Sequence, residues 1–119
     1  GPTQLPLAQI EVSGKANSVD VNRGVTLTVA GHATDPAGDI KEHWLEIRNP
    51  AGVWSWEGWL TTAPWDGAVG GTASASTKST SYTFDQYGNY LVRSSVLNSK
   101  DEWVVSSELT IHVMDTAAP

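Results

Sequence analysis

Apolar and polar residues alternate with a period of two along much of this chain. Val25, Leu27 and Val29 interleave with Thr26, Thr28 and Ala30, and Leu45 and Ile47 interleave with Trp44, Glu46 and Arg48. Tyr90, Val92 and Val96 share one face with Ser94 between them, and Leu109, Ile111 and Val113 point one way while Thr110 and His112 point the other. Side chains alternate across a strand, so each run predicts a strand with one buried face. No window of eleven residues sets apolar positions at helical spacing behind a cap.

Turn-forming residues fall between the runs: Asn22-Arg23-Gly24, Asp35-Pro36-Ala37-Gly38-Asp39, Asn49-Pro50-Ala51-Gly52, Tyr87-Gly88-Asn89 and Asn98-Ser99-Lys100-Asp101. Glycine, proline and asparagine supply the backbone angles and local hydrogen bonds that reverse a chain. The pattern predicts strands over 8–13, 18–21, 25–33, 41–48, 53–60, 78–84, 89–97 and 102–114. Short strands with turns at this spacing give an all-β fold, a sandwich or a barrel. The small polar stretch 66–77 reads as a long loop or weak edge strand. The expected core is Ile10, Val12, Val25, Leu27, Val29, Leu45, Ile47, Phe84, Tyr90, Val92, Val96, Leu109, Ile111 and Val113, with Tyr82 or Tyr87 hydrogen-bonding across one end.

At 119 residues the chain is long enough for one domain. It is 39% hydrophobic and only 17% charged, too apolar for a disordered segment. The net charge is −6, and the seven basic residues are scattered, which argues against nucleic acid and anionic membrane surfaces as partners. Apolar runs are too short to insert in a membrane. With no cysteine, disulfides and thiolate sites are excluded. Gly1-Pro2-Thr3 reads as a cleavage scar, residues 1–5 as scar and linker, 6–114 as the sandwich and 115–119 as linker, as for a module cut from a larger protein.

Two stretches resemble the polycystic-kidney-disease (PKD) domains and related bacterial immunoglobulin-like domains. Thr34-Asp35-Pro36-Ala37-Gly38-Asp39-Ile40 is similar to that family's aspartate-proline-glycine turn. Tyr82-Thr83-Phe84-Asp85-Gln86-Tyr87-Gly88-Asn89-Tyr90-Leu91-Val92 resembles its aromatic-x-x-x-glycine-x-tyrosine-x-valine stretch. The resemblance covers roughly residues 6 to 114. The family's tryptophan-aspartate-phenylalanine-glycine run is replaced here by Leu45-Glu46-Ile47-Arg48-Asn49-Pro50. The resemblance implies a two-sheet antiparallel immunoglobulin-like (PKD-like) sandwich, and a secreted or cell-surface, non-catalytic accessory module beside neighbouring domains of the same chain. Its members include spacers and modules that hold insoluble polymers.

Tryptophan is the main anomaly of the composition. There are six, and Trp54, Trp56, Trp59 and Trp65 lie within twelve residues of one another, with Trp44 and Trp103 outside that cluster. An indole offers flat apolar faces and one N–H donor, which suits it to stacking on the C–H face of a sugar ring. Alternation turns Trp44 away from the core, and a strand over 53–60 would set Trp54 and Trp56 on one face. Trp44, Trp54, Trp56, Trp59 and Trp65 are thus the candidate ligand-binding residues, for a polysaccharide or another extracellular polymer. Tryptophan is also largely buried on average, so the cluster reads equally as packing in a spacer or interaction domain.

Asp35, Asp39 and Asp101, with Asn98, Ser99 and Glu102, could offer oxygen ligands to a structural calcium ion, although their spacing matches no strict calcium motif. Aspartate before proline also serves simply as a turn former. His32, His43 and His112 fall on three different predicted strands, without metal-ligand spacing, and are expected to be surface or partly buried histidines of the sandwich. No nucleophile elbow, His-Glu-x-x-His or glycine-rich phosphate loop occurs, so no enzyme is expected and no cofactor beyond that calcium.

Overall fold

The computed structural model describes residues 4–53 and 67–115. They form β1 (Leu7–Val12), β2 (Val19–Asn22), β3 (Val25–Thr34), β4 (Ile40–Arg48), β5 (Ala68–Ala73), β6 (Ala75–Phe84), β7 (Gly88–Asn98), β8 (Trp103–Val105) and β9 (Leu109–Met114). One sheet has the order β1-β3-β6 and the other β2-β9-β7-β4-β5, with β8 also paired to β7. All pairings are antiparallel except β2 with β9, which is parallel. The architecture is the expected all-β two-sheet sandwich of the immunoglobulin-like, PKD-like kind.

Alternation places the core. Ile10, Val12, Val29, Leu45, Ile47, Phe84, Tyr90, Val92, Leu109, Ile111 and Val113 are buried together with Val21, and Val25 and Leu27 pack against them half-buried. Val96 belongs to a second, smaller cluster with Ala8, Ala33 and Ile40. Phe84 and Tyr90 meet edge to face at 4.9 Å, an arrangement favoured by the ring quadrupoles. The tyrosine that closes this end is Tyr90 rather than Tyr82 or Tyr87. Its hydroxyl accepts the Gln86 N–H at 3.0 Å and donates to Asp85 at 3.4 Å.

A polar seam separates the two clusters. Gly31, His43 and Ser94 each occupy an inward position between apolar neighbours on β3, β4 and β7. The imidazole of His43 lies 2.9 Å from the Ser76 hydroxyl through Nδ1 and 2.8 Å from the Ser94 hydroxyl through Nε2. Gly31 makes room for this seam: a Cβ there would sit 2.9 Å from both Ser94 Oγ and Leu45 Cδ2. His43 is 0% exposed, which corrects the expectation of a surface or partly buried histidine. Burial pushes its pKa down to about 4, so it is neutral in the folded protein at ordinary pH.

One expectation is decided between its two alternatives and another changes. Residues 68–73 are an edge strand paired with β4, and 75–77 continue into β6, so most of the small polar stretch is strand. Ser74 alone connects β5 in one sheet to β6 in the other. The predicted strand over 102–114 is two strands. Between them Ser106 exchanges two hydrogen bonds with Ser94, its N–H donating to the Ser94 carbonyl and its Oγ accepting the Ser94 N–H, each at 2.8 Å. The predicted strand over 53–60 falls, apart from Val53, outside the described residues.

Candidate functional site

The outer face of the six-stranded sheet carries a groove of about 370 Å³ lined by Glu42, Trp44, Glu46, Arg93, Ser95, Trp103 and Val105. Strand parity places these residues. Leu45 and Ile47 point inward, so Glu42, Trp44 and Glu46 line the outside of β4; the irregular register between Ile40 and Glu42 sets this phase. Across the sheet Trp44 stands opposite Ser95, and Ser95 opposite Val105. Glu46 stands opposite Arg93, and Leu97 opposite Trp103. Trp44 and Trp103 are thus two strands and one residue pair apart, about 12 Å between Cα atoms at standard spacings. The small Ser95 between them leaves the hollow.

The two indoles are held differently. Trp44 donates its Nε1–H to Glu42 Oε1 at 2.8 Å, and Gly67 lies directly against its ring. The Gly67 carbonyl in turn accepts the His43 N–H at 2.8 Å, which pins that backbone in place. Trp44 is therefore half-buried and fixed. Trp103 is 52% exposed, and Val105 beside it is also exposed. At the far end of the groove Arg93 pairs with Glu46 through Nε and Nη2, both at 3.3 Å, and its Nη1 lies 3.5 Å from Glu108. The Glu46 carboxylate is nearly buried, and its two-point contact with a planar guanidinium compensates the loss of water.

Of the five candidate tryptophans, Trp44 lies in this groove. Trp54, Trp56, Trp59 and Trp65 fall outside the described residues. Trp103 was not among the candidates. Continuing the alternation back from Leu109 would turn it inward, but the irregular stretch 106–108 reverses the phase, so Val104 packs on the core and Trp103 and Val105 face out.

The acidic turn resolves into a pair. Asp35 is 1% exposed; its Oδ1 accepts the Ala37 N–H at 3.0 Å. Asp39 Oδ2 accepts the Ser99 hydroxyl at 2.6 Å, which ties this turn to the β7–β8 turn. Gly38, at φ +67°, supplies the left-handed step between the two aspartates. Asp35 Oδ2 and Asp39 Oδ1 are buried without a fixed donor. Burial, and then the contact with Asp39, raises the Asp35 pKa; the hydrogen bond from Asp35, and then that from Ser99, lowers the Asp39 pKa. Of the two carboxyl groups, Asp35 is therefore the one that takes up a proton first as the pH falls.

Asp101 does not join them; its carboxylate pairs with Lys41 at 3.1 Å. Among the described residues no three His, Asp or Glu side chains are grouped to hold a metal ion. Calcium takes six to eight oxygens, and two carboxylates plus a hydroxyl that is already donating do not fit it.

Two arrangements have the ingredients of a nucleophile and its base. His43 and Ser94 are at hydrogen-bond distance, but both are fully buried, so no substrate reaches them. Thr77, His32 and Glu11 lie in a row across β6, β3 and β1, with His32 Nδ1 3.2 Å from Thr77 Oγ1 and Nε2 against Glu11 Oε1. That row lies on a sheet face whose neighbours Thr26, Thr28, Thr34, Ser79, Ser81 and Thr83 are small, or flat β-branched, hydroxyl residues. Nothing there supplies the converging oxyanion donors that acyl transfer requires.

No family model matches the chain, and no curated protein matches it. Among solved structures it is similar to the PKD domain of an M14-like peptidase from Thermoplasmatales archaeon SCGC AB-540-F20. The TM-score is 0.62 and the identity 19%, over 96% of this chain and 100% of that one. By fold the chain is a PKD-like β-sandwich.

Proposed function

We propose that the chain is a non-catalytic accessory module of a larger secreted or cell-surface protein, and that its outer sheet face holds a polysaccharide. One observation carries the binding reading: Trp103, an indole half open to water, stands beside the fixed ring of Trp44 across a hollow floored by Ser95. Burying apolar indole surface against a sugar ring is favourable by roughly 25 cal/mol per Å². A prepositioned ring loses little conformational freedom on binding. The volume lies at the low end of the range of about 300–1,000 Å³ seen for small-ligand sites, room for a short stretch of a chain that continues past both ends. The accessory role is supported by the fold shared with the PKD domain of an M14-like peptidase.

The test is co-sedimentation with insoluble polysaccharides and titration with soluble ones, read by tryptophan emission. Wild type should bind at least one polymer, and Trp103→Ala should weaken that binding at least tenfold while leaving the circular dichroism unchanged. Trp103→Ala binding as wild type does would refute the site. If no polymer binds, the module is a spacer whose Trp44 serves packing against Gly67.

A further inference from the structure

The charges around the groove narrow the chemistry of its ligand. Glu42 and Glu46 line it, and Glu108 stands behind Arg93, three carboxylates to one guanidinium. No lysine lines it among the described residues. The donors on its walls are largely engaged within the protein. The Trp44 N–H is held by Glu42, and Arg93 directs three of its nitrogens at Glu46 and Glu108. Apart from the Trp103 indole N–H and the Ser95 hydroxyl, both uncharged, what the walls present is acceptors. Glu42 Oε2 has no partner among the described residues, and carboxylate oxygens accept strongly from hydroxyl groups.

We infer that the groove takes an uncharged polyhydroxylated chain and rejects chains carrying carboxylates or sulfates. This rests on the polysaccharide reading above and adds a selection rule to it. A sugar hydroxyl brings a donor to Glu42 Oε2, while its C–H face covers Trp103 and Val105. A uronate or sulfate brings further acceptors and a like charge into a low-dielectric hollow. There is no free guanidinium there to meet it, and like-charge contact is a strong means of excluding a ligand.

The experiment compares neutral and anionic forms of one backbone by isothermal titration calorimetry: hydroxyethyl cellulose against carboxymethyl cellulose, and dextran against dextran sulfate. In 20 mM NaCl wild type should prefer the neutral member of a pair by about tenfold or more, and 300 mM NaCl should shrink that preference. In 100 mM NaCl Glu108→Gln should raise the ratio of anionic to neutral affinity about threefold. Asp20→Asn, which changes net charge equally from β2, should move it less. Equal affinity for both members, or equal effects of the two substitutions, overturns the inference and leaves the polysaccharide reading standing. Failure of every polymer to bind overturns both.

Discussion

Lowering the pH from 7 to 4 should cost this domain about 3 kcal/mol through His43 alone. An unfolded histidine titrates near 6.5, and the buried His43 near 4. Between those values the unfolded chain holds one proton more than the folded one, so stability rises with pH across the window. The contribution is complete above pH 6.5, is lost as pH falls toward 4, and loses no more below that. A difference of two and a half units at 1.36 kcal/mol each gives the figure, with a slope of about 1.4 kcal/mol per pH unit. The loss is a sizeable part of a typical domain stability of about 5–15 kcal/mol. Asp35 acts with the opposite sign, because its raised pKa weakens the fold as pH rises. The imidazole is therefore isolated by comparison with His43→Gln, whose amide can still reach Ser76 and Ser94 but does not titrate. In guanidinium unfolding of both proteins at half-unit steps from pH 4 to 8, wild type should lose about 3 kcal/mol more than the variant between pH 7 and pH 4. Parallel curves across that range would falsify the account of His43 as a buried neutral base.

Gly67→Ala should destabilise the domain by about 1–3 kcal/mol, as overpacking does, because its Cβ would land in the Trp44 ring; denaturant midpoints and near-ultraviolet dichroism report it, and an unchanged midpoint with an unchanged spectrum would contradict the packing. Asp35→Asn should raise the unfolding midpoint at pH 7, where a permanent amide donor replaces a carboxyl that has lost its proton beside Asp39, and the gain should fade as the pH falls through the raised Asp35 pKa. A loss of stability at pH 7 would show that the contact between the two carboxylates does not cost the fold stability there.

The sequence made the core legible where alternation was unbroken. Val92, Val96, Leu109, Ile111 and Val113 needed only their spacing, because a period of two fixes which face each side chain takes. The same parity that buries Leu45 and Ile47 also buries His43. What spacing could not supply were its partners, which lie 33 and 51 residues away and meet it only once the sheets are stacked. Strand β5 was hidden for another reason. Ala68-Val69-Gly70-Gly71-Thr72-Ala73 has little strand propensity of its own and is ordered by the edge of β4. Trp103 was missed because three irregular residues reverse a phase, an event that leaves no mark in composition.

The parallel pairing of β2 with β9 bears on how the domain carries load. Val19 through Asn22 register with Ile111 through Met114, joining a strand near the start of the chain to its last strand. Tension applied through the two chain ends pulls these strands in opposite directions along their length. The hydrogen bonds between them then resist together in shear instead of opening one at a time like a zip. Force applied along these two strands would therefore meet all four registered pairs of the ladder together.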